Sequence, residues 1–258
     1  MEFKLTILGS GSAVPARDRN SSAQILETHD KGFLIDCADG TQLQIMKYGA
    51  HTSRISHIFI SHLHGDHFFG LIPLLTTMGM KNHNKDVHIH SDAQLETLLK
   101  PLLEYFCHDI GFNIIFEPYN ALESSVIYED RSLTVTTIPL VHSVPTAGFL
   151  FKEKNIDNPN SYAYCSDTRY TERILPIISD VKCLYHETTY GKDFAEKAKG
   201  RLHSTTTDAA TIAEKANADR LIIGHFSKRY DDPTPLLQEA RAIFPNTYLA
   251  YDGMTITF

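Results

Sequence analysis

Residues 61–67 read Ser61-His62-Leu63-His64-Gly65-Asp66-His67, and four of the last six carry an imidazole or carboxylate that can hold a metal ion. If the segment begins extended, His62, His64 and Asp66 share one side, because side chains alternate along a strand, and a turn at Gly65 swings His67 toward the same space. One such loop can feed two ions. Neutral imidazole with carboxylate suits Zn²⁺, and also Mn²⁺ or Fe. Three more ligand-type residues each close an apolar run: His142 follows 135–141, Asp167 follows 162–166 and His225 follows 221–224. Strand ends meet at a sheet edge, where loops on a rigid scaffold characteristically carry reacting groups. Metal binding is the chemistry this set points to.

Scattered ligands need a scaffold. Strand-like runs bounded by turn residues fall at 3–8, 23–27, 33–36, 57–61, 87–90, 113–117, 126–129, 133–140, 147–152, 162–166, 183–187, 220–224, 247–251 and 255–258. Helical patterns fall at 40–48, 68–77, 92–106, 206–216 and 233–243, with Asp92 able to cap the third and Asp208 in the first turn of the fourth. Strands in runs with helices between them predict sheets covered by helices, in one α/β domain over 1–258. With 258 residues, 42% of them hydrophobic, disorder is excluded. The net charge of −7 opposes non-specific nucleic-acid binding but leaves room for a local basic patch. Four cysteines without a CxxC pair argue against a thiolate metal site or a disulfide framework. The opening MEFKLTILGSG lacks a secretion leader and no stretch reaches the roughly 20 apolar residues of a membrane helix, so a cytoplasmic protein is expected.

The pieces LGSGSAVPARDRNSSA, FLIDCADGTQLQIM, IFISHLHGDHFFGLIPLL, YCSDTRY, LYHETTY, LHSTTTDAA and LIIGHFSKRY resemble the metallo-β-lactamase superfamily and, within it, ribonuclease Z. The HxHxDH motif marks the superfamily, and the whole set marks the branch. The resemblance implies a four-layer αβ/βα sandwich and two zinc ions, with manganese or iron as alternatives. His62, His64 and His142 would hold one ion, Asp66, His67 and His225 the other, and Asp167 would bridge them. Asp66 counts with the catalytic groups as well. His203 resembles the family's extra catalytic histidine and Glu187 its acidic partner, an arrangement suited to a general acid. The activity implied is zinc-dependent 3′ processing of precursor transfer RNA by a homodimer, with the apolar stretch 71–80 as one surface able to serve.

The chain also departs from that pattern. Only 24 residues lie between His142 and Asp167, and they read as a hairpin, where the family inserts an arm that grips transfer RNA. A small phosphodiester such as a cyclic nucleotide, or another ester, is therefore the alternative substrate. Ala38 stands where the family commonly carries an acidic residue. Lys81 and Lys85, or Lys228 and Arg229, could contact a nucleic-acid backbone, against a default of solvated surface charge. A di-iron oxygen or nitric oxide reductase would place an acidic residue at His64 and add a flavin domain. A binding module on a decayed scaffold would not keep seven ligand-type residues. The Gly9-Ser10-Gly11-Ser12 turn lacks phosphate-loop spacing and reads as structural. His186 should point away from Glu187's face, and His29, His51, His57, His83, His88, His90 and His108 receive no role.

Overall fold

Among the described residues the strand-like runs become fourteen strands, sorted into two sheets of seven. The computed structural model describes residues 2–28 and 31–258, so His29 lies outside them. Two compact units divide the chain: Glu2–Asn120 with Tyr251–Thr257, and Ala121–Ala250 with Phe258. Each unit holds one sheet.

In the first unit the strand order is β14 (Thr255–Thr257), β1 (Lys4–Gly9), β2 (Ala23–Thr28), β3 (Lys31–Cys37), β4 (Ile55–Phe59), β5 (Val87–Ser91) and β6 (Ile114–Pro118). Pairing is antiparallel from β14 to β3 and parallel from β3 to β6. The carboxyl ends of β3 and β4 therefore share one sheet edge, which brings Asp36 alongside the 61–67 loop. Helices α1 (Thr41–Lys47), α2 (Gly65–Phe68), α3 (Leu71–Met80) and α4 (Gln94–Phe106) follow in sequence. Ile58 of β4 and Ile89 of β5 join Leu71, Leu74, Leu75 and Met78 of α3 and Leu95, Leu99 and Leu103 of α4 in one buried cluster. Burying a leucine of this kind contributes about 1.5–3 kcal/mol. Asp92 accepts the Gln94 amide at 2.8 Å and so satisfies a first-turn donor of α4.

The single helix expected over 68–77 is in fact two, α2 and α3, parted at Phe69 and Gly70. Gly70 donates its amide to the Cys37 carbonyl at 2.8 Å, and a Cβ there would stand 2.0 Å from the Ala38 carbonyl oxygen. The backbone docks on the end of β3, and the helix is interrupted to allow it. The same crowding leaves Ala38 fully buried. The 71–80 stretch faces this core, with only its end, Met80, strongly exposed.

In the second unit the order is β13 (Thr247–Leu249), β12 (Leu221–Gly224), β11 (Cys183–Glu187), β10 (Ser161–Cys165), β9 (Ala147–Glu153), β8 (Leu133–Pro139) and β7 (Val126–Glu129). β10 to β13 pair in parallel, and β8 and β10 both run antiparallel to β9. The carboxyl ends of β8, β10, β11 and β12 thus lie along one edge, where His142, Asp167, Glu187 and His225 emerge. The β9–β10 turn sits at the opposite edge, about 20 Å away by strand rise. Its helices are α5 (Leu175–Ile178), α6 (Ala195–Arg201), α7 (Thr206–Lys215) and α8 (Thr234–Arg241). The sequence reading missed α5 and α6; α6 buries only Ala198 and has no apolar period to detect. At α7 the Thr205 hydroxyl and the Asp208 carboxylate form a reciprocal capping box, worth about 1 kcal/mol.

Candidate metal centre

The first unit gathers His62, His64, Asp66 and His67 around a carboxylate that the sequence reading overlooked. Asp36 is fully buried at the end of β3 with a left-handed φ of 54°. It accepts the Ser61 amide at 2.8 Å and the Ser61 hydroxyl at 2.9 Å, and it pairs with His67 Nδ1 at 2.7 Å. Ser61 Oγ has one proton, given to Asp36, so toward His62 Nδ1 at 3.0 Å it acts as acceptor. Both rings are thereby fixed with Nδ1 protonated and Nε2 as the ligand nitrogen, the arrangement in which a metal-binding histidine is usually held. His62 Nε2 lies 3.0 Å from His64 Nδ1, and His67 Nε2 lies 3.4 Å from Asp66 Oδ2. Ligands bound at about 2.0–2.1 Å to one tetrahedral ion stand roughly 3.3 Å apart, so these spacings suit a common cation.

The second unit brings together His142, Asp167, Glu187, His203 and His225. Asp167 is 3% exposed, and its two oxygens face different imidazoles: Oδ1 lies 3.1 Å from His225 Nε2 and Oδ2 lies 3.7 Å from His142 Nε2. A carboxylate offered in two directions is what a bridging ligand requires. Here too the Nδ1 atoms are committed to protein, His142 to the Leu202 carbonyl at 3.0 Å and His225 to the Thr189 hydroxyl at 2.8 Å. His225 adopts a φ of 61°, an uncommon value for a residue with a side chain, held at a site that needs its ring just there.

His203 differs from the others. Its Nδ1 lies 2.9 Å from Glu187 Oε1, and its side chain is 16% exposed where that of Glu187 is fully buried. Although its ring lies with Asp167 and His225 in a group whose ligand-type atoms all fall within 4.8 Å, the nitrogen turned to Glu187 is already in use. A histidine backed by a buried carboxylate is suited to carrying a proton. Burial pushes the Glu187 carboxyl up, but His203, His225 and the Thr189 amide outweigh it and hold it at about 2. His186, next along β11, is buried with Nδ1 2.8 Å from the Glu187 carbonyl, and burial pushes its pKa down. It packs and takes no part.

Two donor sets of imidazole and carboxylate, with the outer nitrogens pinned by protein acceptors, fit a Zn²⁺-class ion. Besides Asp36, the sequence reading missed Ser61 and Thr189. Asp36 did carry a signal, since it closes an apolar strand as His142, Asp167 and His225 do. The Gly9–Ser12 turn proves structural: Ser10 donates through N and Oγ to Asp252 Oδ1 at 2.9 and 2.8 Å, fixing the loop. Lys81, Lys85 and Lys228 are exposed, while the Arg229 guanidinium lies 5.5 Å from the centre of the Tyr190 ring and 4.5 Å from that of Phe194.

Residues 3–242 match the family described as Anti-Pycsar protein Apyc1. A ribonuclease Z of Bacteroides fragilis is 40% identical over 301 aligned positions, covering 99% of each chain. A ribonuclease Z of Azobacteroides pseudotrichonymphae is 42% identical over 284 positions, covering 99% of this chain and 98% of its own. The crystal structure of human tRNase Z, short form, is similar with a TM-score of 0.84 at 28% identity over 98% of both chains. The metallo-β-lactamase fold protein YhfI from Bacillus subtilis shares the fold, with a TM-score of 0.81 at 19% identity over the whole of both chains. With 301 positions in the first alignment against 258 residues here, at least 43 positions of it have no counterpart in this chain.

Proposed function

The chain belongs to the ribonuclease Z family, and to the family described as Anti-Pycsar protein Apyc1, and from that premise we propose that it is a metal-dependent phosphodiesterase that cuts precursor transfer RNA to leave a 3′-hydroxyl. In this reading His62, His64 and His142 hold one ion, Asp66, His67 and His225 hold a second, and Asp167 serves both, with zinc favoured and manganese or iron as alternatives. When bound, such ions supply Lewis acidity and lower the pKa of water. The chain's own residues do the rest. Asp66 orients the attacking water through its carboxylate. Glu187, at Nδ1, stabilises the doubly protonated His203, which gives its Nε2 proton to the departing 3′ oxygen and is left neutral.

The observation that carries this reading is the His203–Glu187 pair at 2.9 Å beside the two-way Asp167 carboxylate. His203→Ala should retain two ions per chain by elemental analysis while turnover falls about 10²–10⁴-fold, the usual worth of a positioned acid. Unchanged turnover at full metal content removes His203 from the mechanism. Fewer than two tightly held ions in the unaltered chain defeats the dinuclear reading.

A second reading keeps the chemistry and changes the substrate to a small phosphodiester or other ester. The short turn at residues 154–160 and the missing aligned positions favour it. Parallel assays on precursor transfer RNA and a chromogenic phosphodiester separate the two: efficient cleavage of the ester with no defined RNA cut selects the second. We further infer a single functional domain over 1–258 acting in the cytoplasm as a homodimer. Among the described residues no helix is long and apolar enough to cross a membrane. Light scattering at twice the chain mass supports the dimer, and a monomer at assay concentration sinks it.

A further inference from the structure

We propose that Thr189 is a positioning residue whose single hydroxyl proton fixes the tautomers of two histidines at once, His203 and His225. The argument is a count of protons around Glu187. Oε1 receives the Thr168 amide at 3.1 Å and the Ser204 amide at 3.0 Å, and His203 Nδ1 faces it at 2.9 Å. Oε2 receives the Thr189 amide at 2.9 Å and the Thr189 hydroxyl at 2.8 Å. Three backbone amides converging on this carboxyl, with the hydroxyl and a ring nitrogen beside them, leave no place for a proton of its own, so it acts only as an acceptor.

That assignment propagates. A threonine hydroxyl has one proton, and here it goes to Glu187 Oε2. Thr189 Oγ1 can then meet ring nitrogens only as an acceptor. It lies 2.8 Å from His225 Nδ1 and 3.2 Å from His203 Nδ1, so both nitrogens carry hydrogen. His203 shares that hydrogen between Glu187 Oε1 and Thr189 Oγ1. His225 is left with Nε2 as the nitrogen turned to Asp167, 3.1 Å from Oδ1. A His225 with no hydrogen on Nδ1 would set two lone pairs against each other across a contact in which Thr189 is only 4% exposed, so hydrogen stays on Nδ1 whatever stands between Nε2 and Asp167.

The consequence is that Nδ1 of His225 is committed to protein and Nε2 is the nitrogen offered to an ion, and that on His203 the nitrogen left for the substrate is Nε2, turned away from Glu187. One side chain, held in place by its own amide on the same carboxylate, links the ligand to the proton donor. The catalytic part rests on the reading proposed above; the tautomer assignment does not.

The test is ¹⁵N magnetic resonance of histidine-labelled full-length protein, as purified and after zinc loading. The expected result is hydrogen on Nδ1 of both His203 and His225 in the unaltered chain. Thr189→Val should lose the fixed tautomer at His225 and weaken zinc binding about 10–100-fold, the usual cost of removing a partner behind a metal ligand. Thr189→Ser, which keeps the hydroxyl, should restore both. An Nδ1 without hydrogen on His225 or His203 in the unaltered protein overturns the proposal, and that spectrum decides the matter even if the valine variant fails to fold. Unchanged tautomers and affinity in a folded Thr189→Val protein overturn it as well. A chain with the expected tautomers that takes up no zinc would reject the metal reading and leave this assignment standing.

Discussion

Asp36 is the hub of the 61–67 loop, because one carboxylate holds the Ser61 backbone, the Ser61 hydroxyl and the His67 ring at 2.7–2.9 Å. Asp36→Ala should therefore weaken metal binding about 10–100-fold although Asp36 touches no ion in the proposed centre. It should also cost stability, at about 1–3 kcal/mol for each buried donor that loses its acceptor. Zinc titration and denaturant unfolding measure the two effects, and an unchanged affinity would mean that Ser61 alone orients the loop. Glu187 gives a pH signature. Its pKa is depressed from 4.5 to about 2 in the folded chain, because the donors and imidazoles around it outweigh the burial that pushes the other way. A depressed carboxyl contributes stability that is present above 4.5 and is lost as pH falls through about 2. Metal-free protein should accordingly lose stability over that interval, and Glu187→Gln should flatten the dependence while being less stable above it. Parallel pH profiles for the two would show that Glu187 is not the group responsible.

At the level of elements the break between α2 and α3 is decided by contact with β3. Gly70→Ala would place a Cβ 2.0 Å from the Ala38 carbonyl oxygen, so the strand end or the start of α3 must move. A loss of about 1–3 kcal/mol is expected, typical of an overpacked site, together with weaker metal binding because Asp36 sits on the same strand end. Full stability and affinity would mean the contact is not tight. The break illustrates where sequence stops being legible: apolar spacing over 68–77 announces a helix, but nothing in that spacing says that residue 70 will meet another backbone. Strands such as β7 and β11 were legible to the residue, because each is a short apolar run between turn residues. The placement of candidate ligands just past strand ends was legible for the same reason, as the positions of His142 and His225 show. Ser61 and Thr189 were not, because a hydroxyl beside a motif has no pattern of its own and acquires meaning only from the carboxylate that it meets. The apolar content of 71–80 likewise could not say which side faces inward. The structure buries Leu71, Leu74, Leu75 and Met78, and leaves a different stripe, Leu98, Leu102, Tyr105 and Phe106 of α4, exposed.

For the molecule as a whole, charge and length bear on substrate. Seven proposed ligands fall four in the first unit and three in the second. The formal charge of −7 gives no general attraction for a polyanion, and at least 43 positions that a Bacteroides fragilis ribonuclease Z carries are missing. The hairpin turn at 154–160, where the sequence reading places the family's gripping arm, lies about 20 Å along the strands from the edge that bears His142 and Asp167. A segment lost there removes contacts to distant parts of a long substrate and leaves the reacting groups untouched. Contacts of that kind act equally on bound substrate and transition state, so their loss raises KM and spares kcat. Assayed beside the longer Bacteroides fragilis protein, this chain should show a higher KM for precursor transfer RNA at similar kcat, and similar constants for a chromogenic phosphodiester. Its rate on RNA should also fall less steeply with added salt, since each phosphate contact contributes roughly 0.7–0.9 to the logarithmic slope. Equal KM and equal salt slopes would mean that the missing segment never gripped the substrate, and that this chain holds RNA through groups near its hydrolytic edge, with Arg229 the first to replace.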